Sequence, residues 1–253
     1  MPFTVSHAAA VLPLHRFSKH KLPLTALMVG SMAPDFGYFF SYDTSRQLTH
    51  SIPGLFIFAL PVGMLVWLFY VAVLEKATIT LLSDRWHTRF AHTDALKVPL
   101  IGRAAIAIVL GAITHLMWDA FTHRATLVTT AFPVLSSPTP GFSWLPIYAL
   151  LHGVSSVLGL VILAIWARGL HRQPARSLIR PYEISERART VALSFLIIGS
   201  LLTGLIEWWP YAHSRYDAQL FSAAVGLTSG FFVAWCCIAV SLWLRARRVR
   251  VVR

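Results

Sequence analysis

Within GAITHLMWDAFTHRA, residues 111–125, the side chains of His115, Asp119 and His123 recur at every fourth position. On an α-helix each step of four turns about 40° and rises ~6 Å, so the three groups form one stripe ~12 Å long. Adjacent members of such a stripe meet a single ion, as in two-histidine helical zinc motifs, and the whole stripe suits a cluster of two or three. Imidazole and carboxylate donors with no cysteine among them favour zinc, manganese or iron(II) over soft-metal or iron–sulfur chemistry.

The elements that must position this stripe are membrane helices. Hydrophobic residues make up 56% of the 253-residue chain and charged residues only 13%, about half the charged share of an average soluble domain. Apolar runs long enough to cross a ~30 Å hydrocarbon layer occur at about 22–41, 53–74, 98–121, 144–167, 190–210 and 218–244. The sequence therefore predicts an all-α, polytopic bundle of about six spans. It reads as a single membrane-embedded domain over 1–253, with a motif-bearing part at 1–170 and two further helices with a basic tail at 190–253. The first run is the least regular: Gly30, Pro34-Asp35 and Gly37 break it, and broken backbone at membrane depth needs cover from protein or a wet cavity.

Charge placement gives the sides. Residues 1–21, 75–97, 168–189 and 245–253 hold three, four, six and five Lys or Arg, whereas 42–52, 122–143 and 211–217 hold one each. This alternation puts both termini and the long loops in the cytoplasm of a multi-pass protein, by analogy with the bacterial inner membrane. The formal charge of +12 is gathered in loops that face lipid headgroups, as orientation signals are, which argues against a nucleic-acid partner. The adjacent Cys236 and Cys237 lie in an apolar run and read as lipid-facing or packing residues. The N-terminus lacks the basic start of a cleaved signal peptide.

On this topology the polar groups inside the apolar runs share one depth. Asp35, His50, the stripe, His152, and Glu207 with His213 all fall toward the outer ends of their spans. An ionisable group at the bilayer centre costs ~2.5–3.5 kcal/mol on insertion scales, so several at one level need a compensating role. His15, His20, His87, His92 and His171 sit in basic cytoplasmic stretches and read as solvated. Trp144, Trp208, Trp209 and Tyr211 read as an interfacial aromatic belt. His7 falls on the cytoplasmic side by strict counting; it reaches the cluster only if 4–15 is re-entrant or the N-terminus lies outside.

Five segments in order, MPFTVSHAAAVLPL, GSMAPDFGYF, LTHSIPGL, GAITHLMWDAFTH and LLHGVSSVLG, resemble a bacterial family of integral membrane proteins filed as a domain of unknown function, DUF4184. More distantly, the motif order is similar to inner-membrane metal-dependent hydrolases and to the zinc phospholipase C and P1 nuclease group. What the resemblance implies is a ligand set of His7, Asp35, His50, His115, Asp119 and His152, which His123 extends. The PD motif continues as PDFGYF, without the further acidic residue of many hydrolase versions.

These readings favour a metal-dependent hydrolase acting on a phosphoester of a lipid or envelope intermediate. Asp35 and Asp119 would be its catalytic carboxylates, and membrane lipids and a small-molecule or lipid substrate its partners. The alternatives are a transporter, channel or proton relay built on the same His/Asp set, haem ligation by a pair such as His115 and His152, and interhelical hydrogen bonding alone.

Overall fold

A computed structural model describes residues 4–39, 45–83, 86, 98–170, 180–214 and 216–251. His87, His92, His171 and the centre of the arginine-rich loop lie outside the described residues. Apart from one short antiparallel pair, β1 (Pro138–Thr139) with β2 (Phe142–Pro146), the described elements are helical. Three short helices, α1 (Leu12–Phe17), α2 (Leu24–Met32) and α3 (Ser45–Thr49), come first. The long ones are α4 (Ile52–Leu81), α5 (Val98–Thr122), α7 (Ile147–Leu170), α8 (Glu186–Trp208) and α9 (Tyr216–Val251), with the short α6 (Leu127–Ala131) following α5.

Among the described residues, five helical stretches are long and apolar enough to cross a membrane, and only 6% to 33% of each apolar window is buried. Helix α7 turns Val154, Val157, Val161 and Ile165 outward, as a lipid-facing helix does. The chain is thus an all-α polytopic membrane protein.

The sixth expected span, 22–41, is not a continuous helix. Helix α2 ends at Met32, and Ala33–Phe39 continues as a 3₁₀ segment. Pro34 has no N–H to offer the Gly30 carbonyl, so the α-ladder stops there, and the amide of Ala33 bonds Gly30 in the tighter pattern instead. A second 3₁₀ segment, Thr4–Val11, precedes α1. The chain reverses between α1 and α2 at Lys19 and His20, both with positive φ. Nδ1 of His15 faces the Leu22 carbonyl at 2.9 Å across that turn. His15 is therefore half-buried rather than solvated, whereas His20 is exposed.

Two compact units share the chain, Met1–Trp67 with Ala95–Arg168, and Leu68–Asp94 with Gly169–Arg253. In the first, Ala33, Leu55, Ala59 and Ala112 form a small-residue core with Phe36 and Leu116 packed on it. A Cβ on Gly30 would run into the backbone of Ile108, and one on Gly111 into the backbone of Leu27, Gly30 and Ser31. Glycine at both positions lets α2 and α5 touch backbone to backbone, the usual device of packed membrane helices. In the second unit, Leu81, Leu196, Ala234 and Ile238 form the core. Gly226 and Gly230 of the GLTSG segment both lie against Thr203 of α8, and the Ser200 hydroxyl donates to the Leu227 carbonyl at 2.6 Å. Glu207 and His213 are exposed residues of this second unit.

Candidate metal centre

Every candidate ligand inferred above belongs to the first unit. Helix α5 supplies His115 and Asp119, one turn apart and both buried, and His123 follows its last residue. Asp35 comes from the 3₁₀ turn after α2, and only 2% of it is exposed. His50 sits between α3 and α4, where the THS motif divides its labour. Thr49 Oγ1 lies 2.9 Å from His50 Nδ1, and Ser51 caps α4 by accepting from the Gly54 amide at 3.0 Å. His7 arrives on the N-terminal 3₁₀ segment, 3% exposed. The N-terminal segment thus reaches the cluster, the alternative that strict charge counting had disfavoured.

The distances between donor atoms carry the chemistry. His50 Nε2 lies 3.3 Å from Asp35 Oδ1 and 3.6 Å from Asp119 Oδ2. His115 Nε2 lies 3.4 Å from Asp35 Oδ1 and 3.5 Å from Asp119 Oδ2. These exceed hydrogen-bonding separations. They match the edge of a tetrahedron around an ion with ~2.0–2.2 Å bonds, which is about 3.3–3.6 Å. On the other side of the same carboxylate, Asp119 Oδ1 lies 3.6 Å from His7 Nε2 and 3.5 Å from His123 Nδ1. His152, on α7, places its ring centroid 5.3 Å from that of His123.

A cation fits this donor set. Nε2 of His7, His50 and His115, Oδ1 of Asp35 and both oxygens of Asp119 are buried without a hydrogen-bond partner. Each orphaned buried polar atom costs about 1–3 kcal/mol, so the six together rival the ~5–15 kcal/mol by which a typical domain is stable. Sets of three, His50 with His115 and Asp119 and His7 with Asp35 and His115, hold their donor atoms within 4.8 Å of one another.

The outer contacts aim these donors inward. His115 Nδ1 is 2.7 Å from the Ser31 carbonyl; that carbonyl can only accept, so the proton sits on Nδ1 and Nε2 keeps its lone pair for the cluster. The Thr4 hydroxyl donates to Asp35 Oδ2 at 2.7 Å, which leaves Oδ1 facing the histidines. Such partners set ligand tautomer and orientation in metal sites. Sequence reading passed over Thr4, Ser31 and Thr49. Thr4 carried a signal: at three residues per turn, a 3₁₀ helix stacks positions 4 and 7 on one face. Ser31 carried none, because its backbone carbonyl does the work.

The sequence matches the family described as a domain of unknown function, DUF4184, over residues 1–240. The chain belongs to that family. The match takes in the two C-terminal helices as well as the motif-bearing part. No curated protein and no solved structure matches the chain.

Proposed function

We propose that this DUF4184 protein is a membrane-embedded, metal-dependent hydrolase of a phosphoester carried by a lipid or envelope intermediate, in the bacterial cytoplasmic membrane. The observation that carries the reading is the convergence of Asp35, His50, His115 and Asp119 at tetrahedral-edge separations inside a membrane helix cluster. Zinc fits these donors best, with manganese or iron(II) as substitutes. A bound divalent ion lowers the pKa of a coordinated water toward ~7 and stabilises charge developing on phosphoryl oxygens.

The chain's own residues do the rest. Asp35 and Asp119 would hold the ion that carries the reacting water, the Ser31 carbonyl and the Thr4 hydroxyl fix the ligands' orientation, and the core of Ala33, Leu55, Ala59 and Ala112 excludes bulk water. An apolar groove of about 470 Å³ runs beside the cluster, lined by Ala10, Met117, Trp118, Phe121, Thr122 and Leu151. Its size is that of a ligand pocket, and Thr122 Oγ1 lies 3.2 Å from His123 Nδ1. A hydrocarbon tail in this groove would present its phosphoester to the carboxylates.

The test uses full-length protein purified in mild detergent and assayed for headgroup or phosphate release from phospholipid vesicles and from a soluble aryl phosphodiester. Strong chelation is expected to abolish release and zinc, manganese or iron(II) to restore it. A metal-free preparation that stays folded and equally active would sink the proposal.

A further inference from the structure

We infer that the site holds two ions rather than one, with Asp119 as the carboxylate that bridges them. This deepens the metal-site reading above and rests on it. The two oxygens of Asp119 face different partners: Oδ2 meets His50 and His115, and Oδ1 meets His7 and His123.

Ring geometry separates the two sets. Two imidazoles on one tetrahedral ion, with metal–nitrogen bonds of ~2.0–2.1 Å, hold their ring centroids about 5.2 Å apart. His50 and His115 stand at 5.3 Å. His7 and His115 stand at 3.9 Å with their planes only 22° apart. Each lone pair lies in the plane of its own ring, so two near-parallel planes a stacking distance apart keep His7 and His115 from addressing one point although their donor atoms lie within 4.8 Å. The points they address are separated by at least about the stacking distance, which admits the ~3.5–4 Å spacing of two-metal hydrolytic sites.

The first ion then takes Asp35 Oδ1, His50, His115 and Asp119 Oδ2. The second takes Asp119 Oδ1 and His7, with His123, whose Nδ1 faces the Asp119 carbonyl at 3.2 Å, offering its other nitrogen, Nε2. His152 stands 5.3 Å from His123, the separation of two rings that share an ion. The second position is the one beside the apolar groove, because Thr122 both lines the groove and touches His123. It is therefore where a phosphoester entering from lipid first meets metal.

Metal counting tests this without reference to turnover. Full-length wild type, His7→Ala and His123→Ala are purified with zinc, freed of loosely bound metal, and analysed by plasma mass spectrometry. About two ions per chain are expected in wild type and about one in each variant, as a bridged pair requires. Manganese-loaded wild type is expected to give an exchange-coupled electron paramagnetic resonance spectrum, which does not depend on either variant folding. One ion per chain in wild type, or uncoupled manganese, overturns the bridged pair while leaving a single-ion hydrolase in place. Two ions retained in both variants overturns the ligand assignment. No ion in wild type removes the metal reading itself.

Discussion

Asp119 meets four histidines at 3.5–3.6 Å, and its position one turn from His115 on α5 makes that possible. Asp35 depends on help from outside its own element. It lies on a short 3₁₀ turn, and the Thr4 hydroxyl at 2.7 Å fixes which of its oxygens faces the cluster. Thr4→Val keeps the shape of the side chain and removes the donor, so Asp35 is free to rotate away from the shared point. Loss of such an outer partner weakens metal binding by about 10–100-fold. Competition against a chelator of known affinity measures this, and unchanged affinity would show that Asp35 is oriented by something else. At this scale the sequence singled out the groups that the fold brings together, because ionisable groups in apolar runs stand out against their surroundings. It was poor about their supports: a threonine near the chain start and a backbone carbonyl at Ser31 look ordinary until the fold brings them to Asp35 and His115.

The element that decides the site is the pair α2 and α5, in contact at Gly30 and Gly111. That contact sets the Ser31 carbonyl against His115. Gly111→Ala drives a methyl group into the backbone of α2, which cannot step aside as a side chain can. Overpacking of this kind costs about 1–3 kcal/mol, and the helices must part to relieve it. Gly102 lies on the same helix with nothing within 4 Å of its Cβ position. Gly102→Ala is therefore expected to be neutral or to stabilise by the ~0.5–1 kcal/mol of helix propensity. Thermal unfolding in detergent compares the two: a lower midpoint and lower metal content are expected for Gly111→Ala alone, and equal behaviour would show that the close approach is dispensable. The long helices were legible because length and hydropathy define them. The break in the first span was legible in Pro34-Asp35 and its flanking glycines, but not its form, an α-helix that ends at Met32 and continues as a 3₁₀ segment. The approach of His7 was undecided for a related reason: it depends on a 3₁₀ segment and a positive-φ turn at Lys19 and His20, which hydropathy does not encode.

For the whole molecule, the five stretches among the described residues that are long and apolar enough to cross a membrane predict odd parity, with the segment that enters α4 and the tail that leaves α9 on opposite faces. The arginine-rich 168–189 and 245–253 segments predict a cytoplasmic tail, and with it an outer-face His50 and 122–143 segment. The N-terminal pair fits the same frame. Thr4 bonds Asp35 at the level of the cluster, and the chain then turns at Lys19 and His20, so Arg16, Lys19 and Lys21 sit at the far end of the pair from Thr4. On this prediction the basic residues keep the cytoplasmic side that charge counting gives them, while Thr4 is expected at the outer level. Cysteine labelling resolves these sides in a background where Cys236 and Cys237 are replaced by serine. Arg124→Cys and an N-terminal cysteine tag are expected to react with a membrane-impermeant maleimide on intact cells. Arg187→Cys and Arg245→Cys are expected to react only after permeabilisation. An N-terminal tag labelled only after permeabilisation would return the chain start to the cytoplasm, and with an outer-face Arg124 it would require the pair before α4 to cross the membrane as a sixth span.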